Sequence, residues 1–205
     1  METKKGSLRE KYEKTTVPIG SLLAKTGLSP NTITVLSVII AIISLYFFYV
    51  REILYAFVTI LVAGVLDILD GAVARATGRT SKFGTLLDNT ADRVVEGIII
   101  VGLVMANLVL DLLAIITLLA IFLPSYIRAR GEAEFHVNAR GVGIVERKEK
   151  LAVLFTILLI AIIRPDILTL DILGVSISDL LLIVLIMGAS ISALQRILFF
   201  KKLRT

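Results

Sequence analysis

Four aspartates stand close together in the stretch Leu66–Arg93, and their spacing suits metal binding. Asp67 and Asp70 are three residues apart, and Asp88 and Asp92 are four apart. On α-helices both spacings put the two side chains of a pair on one face, one turn apart. Carboxylates that close repel one another unless a cation lies among them. Because oxygen ligands suit Mg²⁺ or Mn²⁺, the stretch predicts a divalent-metal site.

Two helices joined by a short turn at Gly78–Ser81 would aim these four carboxylates at one point. Gly71 and Gly84 leave room there for a ligand or a neighbouring backbone. Arg75 lies one turn after Gly71, so its guanidinium can reach a phosphate held beside the carboxylates. The stretch therefore predicts a phosphate-bearing ligand next to the metal.

The composition predicts a membrane protein. The 205 residues are 57% hydrophobic, and the mean hydropathy of +0.91 is too high for an ordinary soluble domain. The chain has no cysteine, which excludes disulfides and thiolate chemistry, and its single histidine argues against a histidine-based metal site. The net charge of +5 is carried by basic residues between apolar runs, which indicates membrane headgroups and not nucleic acid as partners.

The apolar runs predict an all-α fold with six transmembrane helices. They cover about 33–50, 53–66, 94–110, 112–127, 151–163 and 180–199. The second run has only 14 residues, about 21 Å of helix against a hydrocarbon core of ~30 Å. Its helix is therefore expected to continue through Asp67 and Asp70. The four carboxylates then lie near one membrane face, where ionisable side chains indicate a functional site.

The chain is predicted to have a basic interfacial segment at residues 1–29, containing an amphipathic helix, and a six-helix membrane domain at residues 30–205. Lysine and arginine concentrate at both ends and in the segments 71–93 and 128–150. The positive-inside rule then places both termini and the aspartates on the cytoplasmic side of a cell membrane, in a multi-pass arrangement.

The aspartate stretch also resembles the signature of the CDP-alcohol phosphotransferase family. The pattern is D-x-x-D-G-x-x-A-R-x8-G-x-x-x-D-x-x-x-D, and every defined position matches. The matching residues are Asp67, Asp70, Gly71, Ala74, Arg75, Gly84, Asp88 and Asp92. The resemblance implies an enzyme of phospholipid synthesis, which transfers the phosphatidyl or archaetidyl group of a CDP-activated lipid to the hydroxyl of a polar acceptor and releases CMP.

Phosphoryl-type transfer needs charge neutralisation and alignment more than covalent work by the protein. Three carboxylates can hold metals while a fourth accepts the hydroxyl proton, and the spacing alone leaves open which is which. The resemblance implies that Asp67, Asp70 and Asp88 bind two Mg²⁺ or Mn²⁺ ions. It makes Asp92 the general base, in contact with the second ion.

The resemblance also implies six contacts to the CDP-activated lipid. These residues are Pro30, Asn31, Thr32, Gly71, Arg75 and Ser81. A purely structural alternative exists for Pro30, Asn31 and Thr32, because Ser29 or Asn31 can cap the first membrane helix and Pro30 suits its first turn. Ser81 can likewise cap the third.

Four basic residues are candidates for binding a phosphate on the acceptor: Arg128, Arg147, Lys150 and Arg196. The alternative is that these charges merely satisfy the positive-inside rule. The stretch Ser125–Glu132 resembles the inositol-phosphate and glycerol-phosphate members of the family, and of these the chain looks most like the phosphatidylinositol-phosphate and archaetidylinositol-phosphate synthase branch. That favours inositol 1-phosphate as the phosphorylated polyol, with glycerol 3-phosphate as the alternative. The resemblance also implies a homodimer.

A divalent-cation channel or transporter is the rival class of function. It would account for the four aspartates. It would not account for Gly71, Ala74 and Arg75 at fixed spacing, nor for an arginine beside a cation path.

Overall fold

The computed structural model describes residues 18–168, 170–172 and 175–203, and most of them are helical. The first described helix, α1, covers residues 18–24. The long helices are α2 (Pro30–Tyr49), α3 (Ile53–Ala76), α4 (Lys82–Met105), α5 (Asp111–Phe135), α6 (Arg147–Ile163) and, last in the chain, α8 (Ile177–Lys202). A short helix and a strand pair precede that last helix: α7 (Pro165–Leu168), β1 (Asp171–Ile172) and β2 (Val175–Ser176).

Four of the described helices, namely α2, α3, α5 and α8, are long and apolar enough to cross a membrane. The chain is therefore an all-helical membrane protein, as its composition predicted. The other two long helices, α4 and α6, do not meet both requirements of length and apolarity. α6 has only 17 residues, and α4 carries Asp88, Asp92, Arg93 and Glu96 in the part that would have to cross.

The described residues form two compact units. The first comprises the residues up to Phe47 together with Tyr55–Ile98, and the second comprises Phe48–Leu54 with the residues from Ile99 onward. The aspartate stretch lies in the first unit. The basic segment 128–150 and Arg196 lie in the second.

Small side chains let the helices of the first unit approach closely. Ala41 of α2 and Ala63 of α3 are buried with Ile98 of α4 in one apolar cluster. In the predicted interfacial segment, α1 lies directly on α3, because a Cβ at Gly20 would come within 2.5 Å of the Ala72 carbonyl oxygen. Residues 1–17 of that segment lie outside the described part.

The second unit is held by polar contacts to α8. Asp179 in its first turn is buried; its carboxylate accepts hydrogen bonds from the Leu110 N–H at 2.9 Å and from the Ser176 hydroxyl at 2.6 Å. Further along, Ser192 accepts the Val145 N–H at 2.9 Å. These bonds fix the ends of α5 and α6 against α8.

The segment between α6 and α8 contains a short helix and a strand pair. β1 and β2 pair antiparallel, with Asp171 opposite Ser176. Before them, the Arg164 guanidinium donates to both carboxylate oxygens of Asp166, at 3.0 and 2.8 Å. This pair of bonds holds the pKa of Asp166 below its ordinary value.

Candidate active site

Three of the four motif aspartates converge in the first unit. Asp67 and Asp70 come from consecutive turns of α3, and Asp88 comes from the second turn of α4. Each offers one carboxylate oxygen, and these atoms all lie within 4.8 Å of one another. Asp70 is only 5% exposed, so its charge needs a compensating partner. Three converging carboxylates suit a hard divalent cation, so the residues present fit the predicted metal.

α2 contributes a hydroxyl that the sequence analysis missed. The Thr34 Oγ1 donates to Asp70 Oδ2 at 2.5 Å, and it also lies 3.1 Å from the Pro30 carbonyl oxygen. Thr34 is 3% exposed. The available signal was a polar residue one helical turn after Pro30, and therefore on the same face of the helix.

A cavity of about 160 Å³ opens beside Asp70 and Asp88. Five of the six predicted contacts to the CDP-lipid line it, namely Pro30, Asn31, Gly71, Arg75 and Ser81. The lining also includes residues that were not predicted as contacts: Thr34, Ala74, Arg79, Thr80, Gly84 and Thr85. The lining thus combines two carboxylates with two arginines, a set of side chains that suits a metal-bound phosphate.

Thr32, the sixth predicted contact, is not among the residues that line the cavity. Its backbone N–H bonds to Ser29 Oγ at 3.1 Å, and its hydroxyl lies 2.8 Å from the same atom. Ser29 therefore caps α2. Asn31, the other capping candidate, turns instead toward Gly84.

Two glycines of the motif permit close approach at the cavity. A Cβ at Gly71 would lie 3.2 Å from Arg75 Nη1. A Cβ at Gly84 would lie 3.1 Å from Ser81 Oγ and 3.2 Å from Asn31 Oδ1. Ser81 also accepts the Gly84 N–H at 2.9 Å, so it caps α4 while lining the cavity.

Asp92 lies one turn beyond Asp88 on α4 and is 7% exposed. It is not part of the three-carboxylate group. The nearby Arg93 places its Nη2 atom 3.8 Å from Asp92 Oδ2 and 2.9 Å from Glu96 Oε1. Arg93 therefore pairs with Glu96 and offsets part of the negative charge of Asp92. The predicted role of Asp92 as general base stays a prediction.

The four residues predicted for the acceptor phosphate all lie in the second unit. Two of them make backbone contacts that the sequence did not anticipate. The Lys150 ammonium donates to the Ile121 carbonyl at 3.0 Å. Arg196 donates to the Val142 carbonyl at 2.8 Å and to the Pro124 carbonyl. Both side chains are buried, at 2% and 4% exposure, so both contribute to holding α5.

The other two candidates are less enclosed. Arg128 is half-buried, with its Nε atom 4.0 Å from Glu132 Oε1. Arg147 is the first residue of α6, where Glu146 and Glu149 form a capping box. The contact of these four residues with an acceptor remains a prediction.

The fold and the site together define a helical membrane protein with a centre suited to a divalent metal and a phosphorylated substrate. The family model for CDP-alcohol phosphatidyltransferase matches residues 27–193. The chain belongs to this family, and it is accordingly a transferase. The family resemblance found in the sequence is thereby confirmed.

Among characterised relatives, the chain is 36% identical over 148 residues to an archaetidylinositol phosphate synthase of Pyrococcus horikoshii, covering 72% of this chain and 78% of the relative. It is 32% identical over 152 residues to a phosphatidylinositol phosphate synthase of Mycobacteroides abscessus, covering 71% and 68%. The crystal structure of Mycobacterium tuberculosis phosphatidylinositol phosphate synthase with CDP-DAG bound superposes with a TM-score of 0.74 at 25% identity, covering 91% of this chain and 94% of that one.

Proposed function

We propose that this protein makes a phosphoinositol lipid. It transfers the phosphatidyl or archaetidyl group of a CDP-activated lipid to the hydroxyl of inositol 1-phosphate and releases CMP. The observation that carries the proposal is the convergence of Asp67, Asp70 and Asp88 beside a cavity that Arg75 also lines. The names of the two relatives, and the CDP-DAG bound to the similar structure, support the choice of substrates.

In this mechanism the three carboxylates would hold Mg²⁺ or Mn²⁺. We propose that two ions bind. A metal bound there neutralises the pyrophosphate charge and polarises the phosphoryl group. Arg75 binds a pyrophosphate oxygen with its guanidinium. Pro30, Asn31, Thr32, Gly71 and Ser81 hold the rest of the CDP group.

The acceptor hydroxyl then forms a bond to the β-phosphorus as the bond from that phosphorus to the bridging oxygen breaks, and CMP leaves with the electron pair. Asp92 takes the hydroxyl proton, and it would also help to hold the second ion. Arg128, Arg147, Lys150 and Arg196 bind the acceptor phosphate. For Lys150 and Arg196 this is in addition to the carbonyl contacts that each side chain makes.

The proposed setting is a cell membrane, with six spans and an interfacial amphipathic helix within residues 1–29. α4 and α6 complete the set of spans, with the charged part of α4 facing the site and not the lipid. The basic residues at 71–93, 128–150 and the C-terminus support a cytoplasmic location for the site and both termini. We further propose a homodimer, as the family resemblance implies.

The direct test supplies purified protein with a CDP-activated lipid, Mg²⁺ and one acceptor at a time. The acceptors are inositol 1-phosphate, glycerol 3-phosphate, inositol and serine, and diacyl and ether lipids are compared as donors. We expect the fastest CMP release with inositol 1-phosphate. Preference for glycerol 3-phosphate would reassign the acceptor. Absence of CMP release with every acceptor, alongside cation flux in vesicles, would favour a transporter.

Replacement of Arg128 tests the acceptor pocket. Arg128→Ala is expected to raise KM for inositol 1-phosphate roughly 10- to 150-fold, since a hydrogen bond to a charged group is worth about 1.5–3 kcal/mol. KM for the CDP-lipid should hardly change. Arg130→Ala is the matched control, because Arg130 is exposed and pairs with Glu134 at 2.6 Å. If both variants have normal kinetics but insert poorly, the charges serve topology alone.

A further inference from the structure

We propose that Thr34 is a positioning residue that holds the Asp70 carboxylate in place for metal binding. The inference rests on the proposed function of the three-carboxylate group. The start of α2 lines the cavity beside Asp70 and Asp88. The inference gives this helix a direct part in building the metal centre as well.

The hydroxyl of Thr34 has little freedom to lie elsewhere. Threonine is β-branched, and on a helix its hydroxyl commonly turns back toward the carbonyl one turn earlier. In this structure that carbonyl belongs to Pro30, 3.1 Å from the Thr34 Oγ1. The same rotamer brings Oγ1 to 2.5 Å from Asp70 Oδ2. The helix therefore presents the hydroxyl to Asp70 at a fixed point.

The hydroxyl has one proton and cannot serve both acceptors at once. A carboxylate is the stronger acceptor, and hydrogen bonds to it are shorter than those to a carbonyl. The two distances agree with this order. The Pro30 carbonyl also lies at a helix start, where the helical N–H groups that follow are its usual donors. The proton of Thr34 is thus directed to Asp70.

A bond to one carboxylate oxygen fixes the rotation of the whole group about its last torsion. That torsion is broad and weakly preferred in free aspartate, so without the bond the carboxylate samples many orientations. Asp70 is also the most enclosed of the three carboxylates. Partners that orient a metal ligand typically contribute 10- to 100-fold to metal affinity.

The test is the affinity for Mn²⁺, measured on purified protein in detergent, without substrate, by the electron paramagnetic resonance signal of the free ion. Thr34→Val keeps the shape and removes the donor, and it is expected to raise the Kd for Mn²⁺ about 10- to 100-fold. Thr34→Ser keeps the donor and should bind Mn²⁺ like wild type. Thr59→Val is the matched control, because the Thr59 hydroxyl on α3 bonds the Tyr55 carbonyl of its own helix, at 2.7 Å.

Activity gives a second readout. The loss of transfer in Thr34→Val should be recovered largely by raising the Mn²⁺ concentration, which would not repair a general packing defect. If Thr34→Val does not fold, Thr34→Ala is compared with Thr34→Ser. Equal Mn²⁺ affinity with and without the hydroxyl overturns the inference. If wild type itself binds no Mn²⁺ and releases no CMP, the proposed function fails instead.

Discussion

Asp67→Asn and Asp88→Asn are each expected to abolish transfer and to weaken metal binding. An amide has the shape of the carboxylate but no charge, so it binds a hard divalent cation poorly. A metal at a reacting phosphate contributes several kcal/mol of charge stabilisation, and each factor of ten in rate corresponds to about 1.4 kcal/mol. We therefore expect a loss of at least about 100-fold in kcat/KM, measured by CMP release at ordinary Mg²⁺.

Asp111→Asn is the control for this pair of variants. Asp111 is an exposed carboxylate at the start of α5, outside the unit that contains the three carboxylates, and its replacement should leave activity and Mn²⁺ affinity unchanged. Chelation should inhibit wild type reversibly, because the helices that carry the three carboxylates are held by apolar packing, as in the cluster of Ala41, Ala63 and Ile98. Near-normal activity of either site variant at ordinary Mg²⁺ would show that these residues are not the ligands.

The chemistry of the site could be predicted from the sequence because its spacing is local. Asp67 and Asp70 share one face of a helix whatever surrounds that helix, and the same holds for Asp88 and Asp92. The short second apolar run also required α3 to continue past both aspartates. The structure has this helix to Ala76 and starts α4 at Lys82, with the turn where the glycine predicts it.

What the sequence did not reveal depends on how one helix lies against another. The Thr34–Asp70 bond joins residues 36 apart, and Arg196 reaches the Pro124 carbonyl from 72 residues away. Helical periodicity gives the face of each residue but not the axial register between helices. The basic residues show the consequence. A lysine or arginine near a phosphate site is interpreted as a ligand, yet Lys150 and Arg196 also hold the backbone of α5.

Membrane spans are a second case in which local pattern is insufficient. The sequence predicts six, while four described helices are long and apolar enough by themselves. α4 fails on charge, because Asp88, Asp92, Arg93 and Glu96 lie in the part that would have to cross. A helix that carries polar residues for a functional site cannot also be uniformly apolar, so a hydropathy criterion does not count such a helix as a span.

Asp92→Asn is expected to remove transfer while leaving the substrates bound. Asparagine can accept a hydrogen bond but cannot take up the proton of the acceptor hydroxyl. A general base contributes roughly 10²- to 10⁴-fold to the rate, so kcat should fall by that factor, and by more if Asp92 shares the second metal. The dissociation constant of the CDP-lipid, measured by calorimetry, should remain close to that of wild type.

The surroundings of Asp92 make this variant interpretable. Arg93 lies 2.9 Å from Glu96 and 3.8 Å from Asp92, so it keeps its closer partner when Asp92 loses its charge. The variant is therefore expected to fold, which a thermal melt would check. Asp88→Asn provides the comparison, since it should lose Mn²⁺ affinity and transfer together, whereas Asp92→Asn should lose mainly transfer. Near-normal kcat with collapsed affinity for the CDP-lipid would instead make Asp92 a binding residue, and the hydroxyl proton would have to leave by another group.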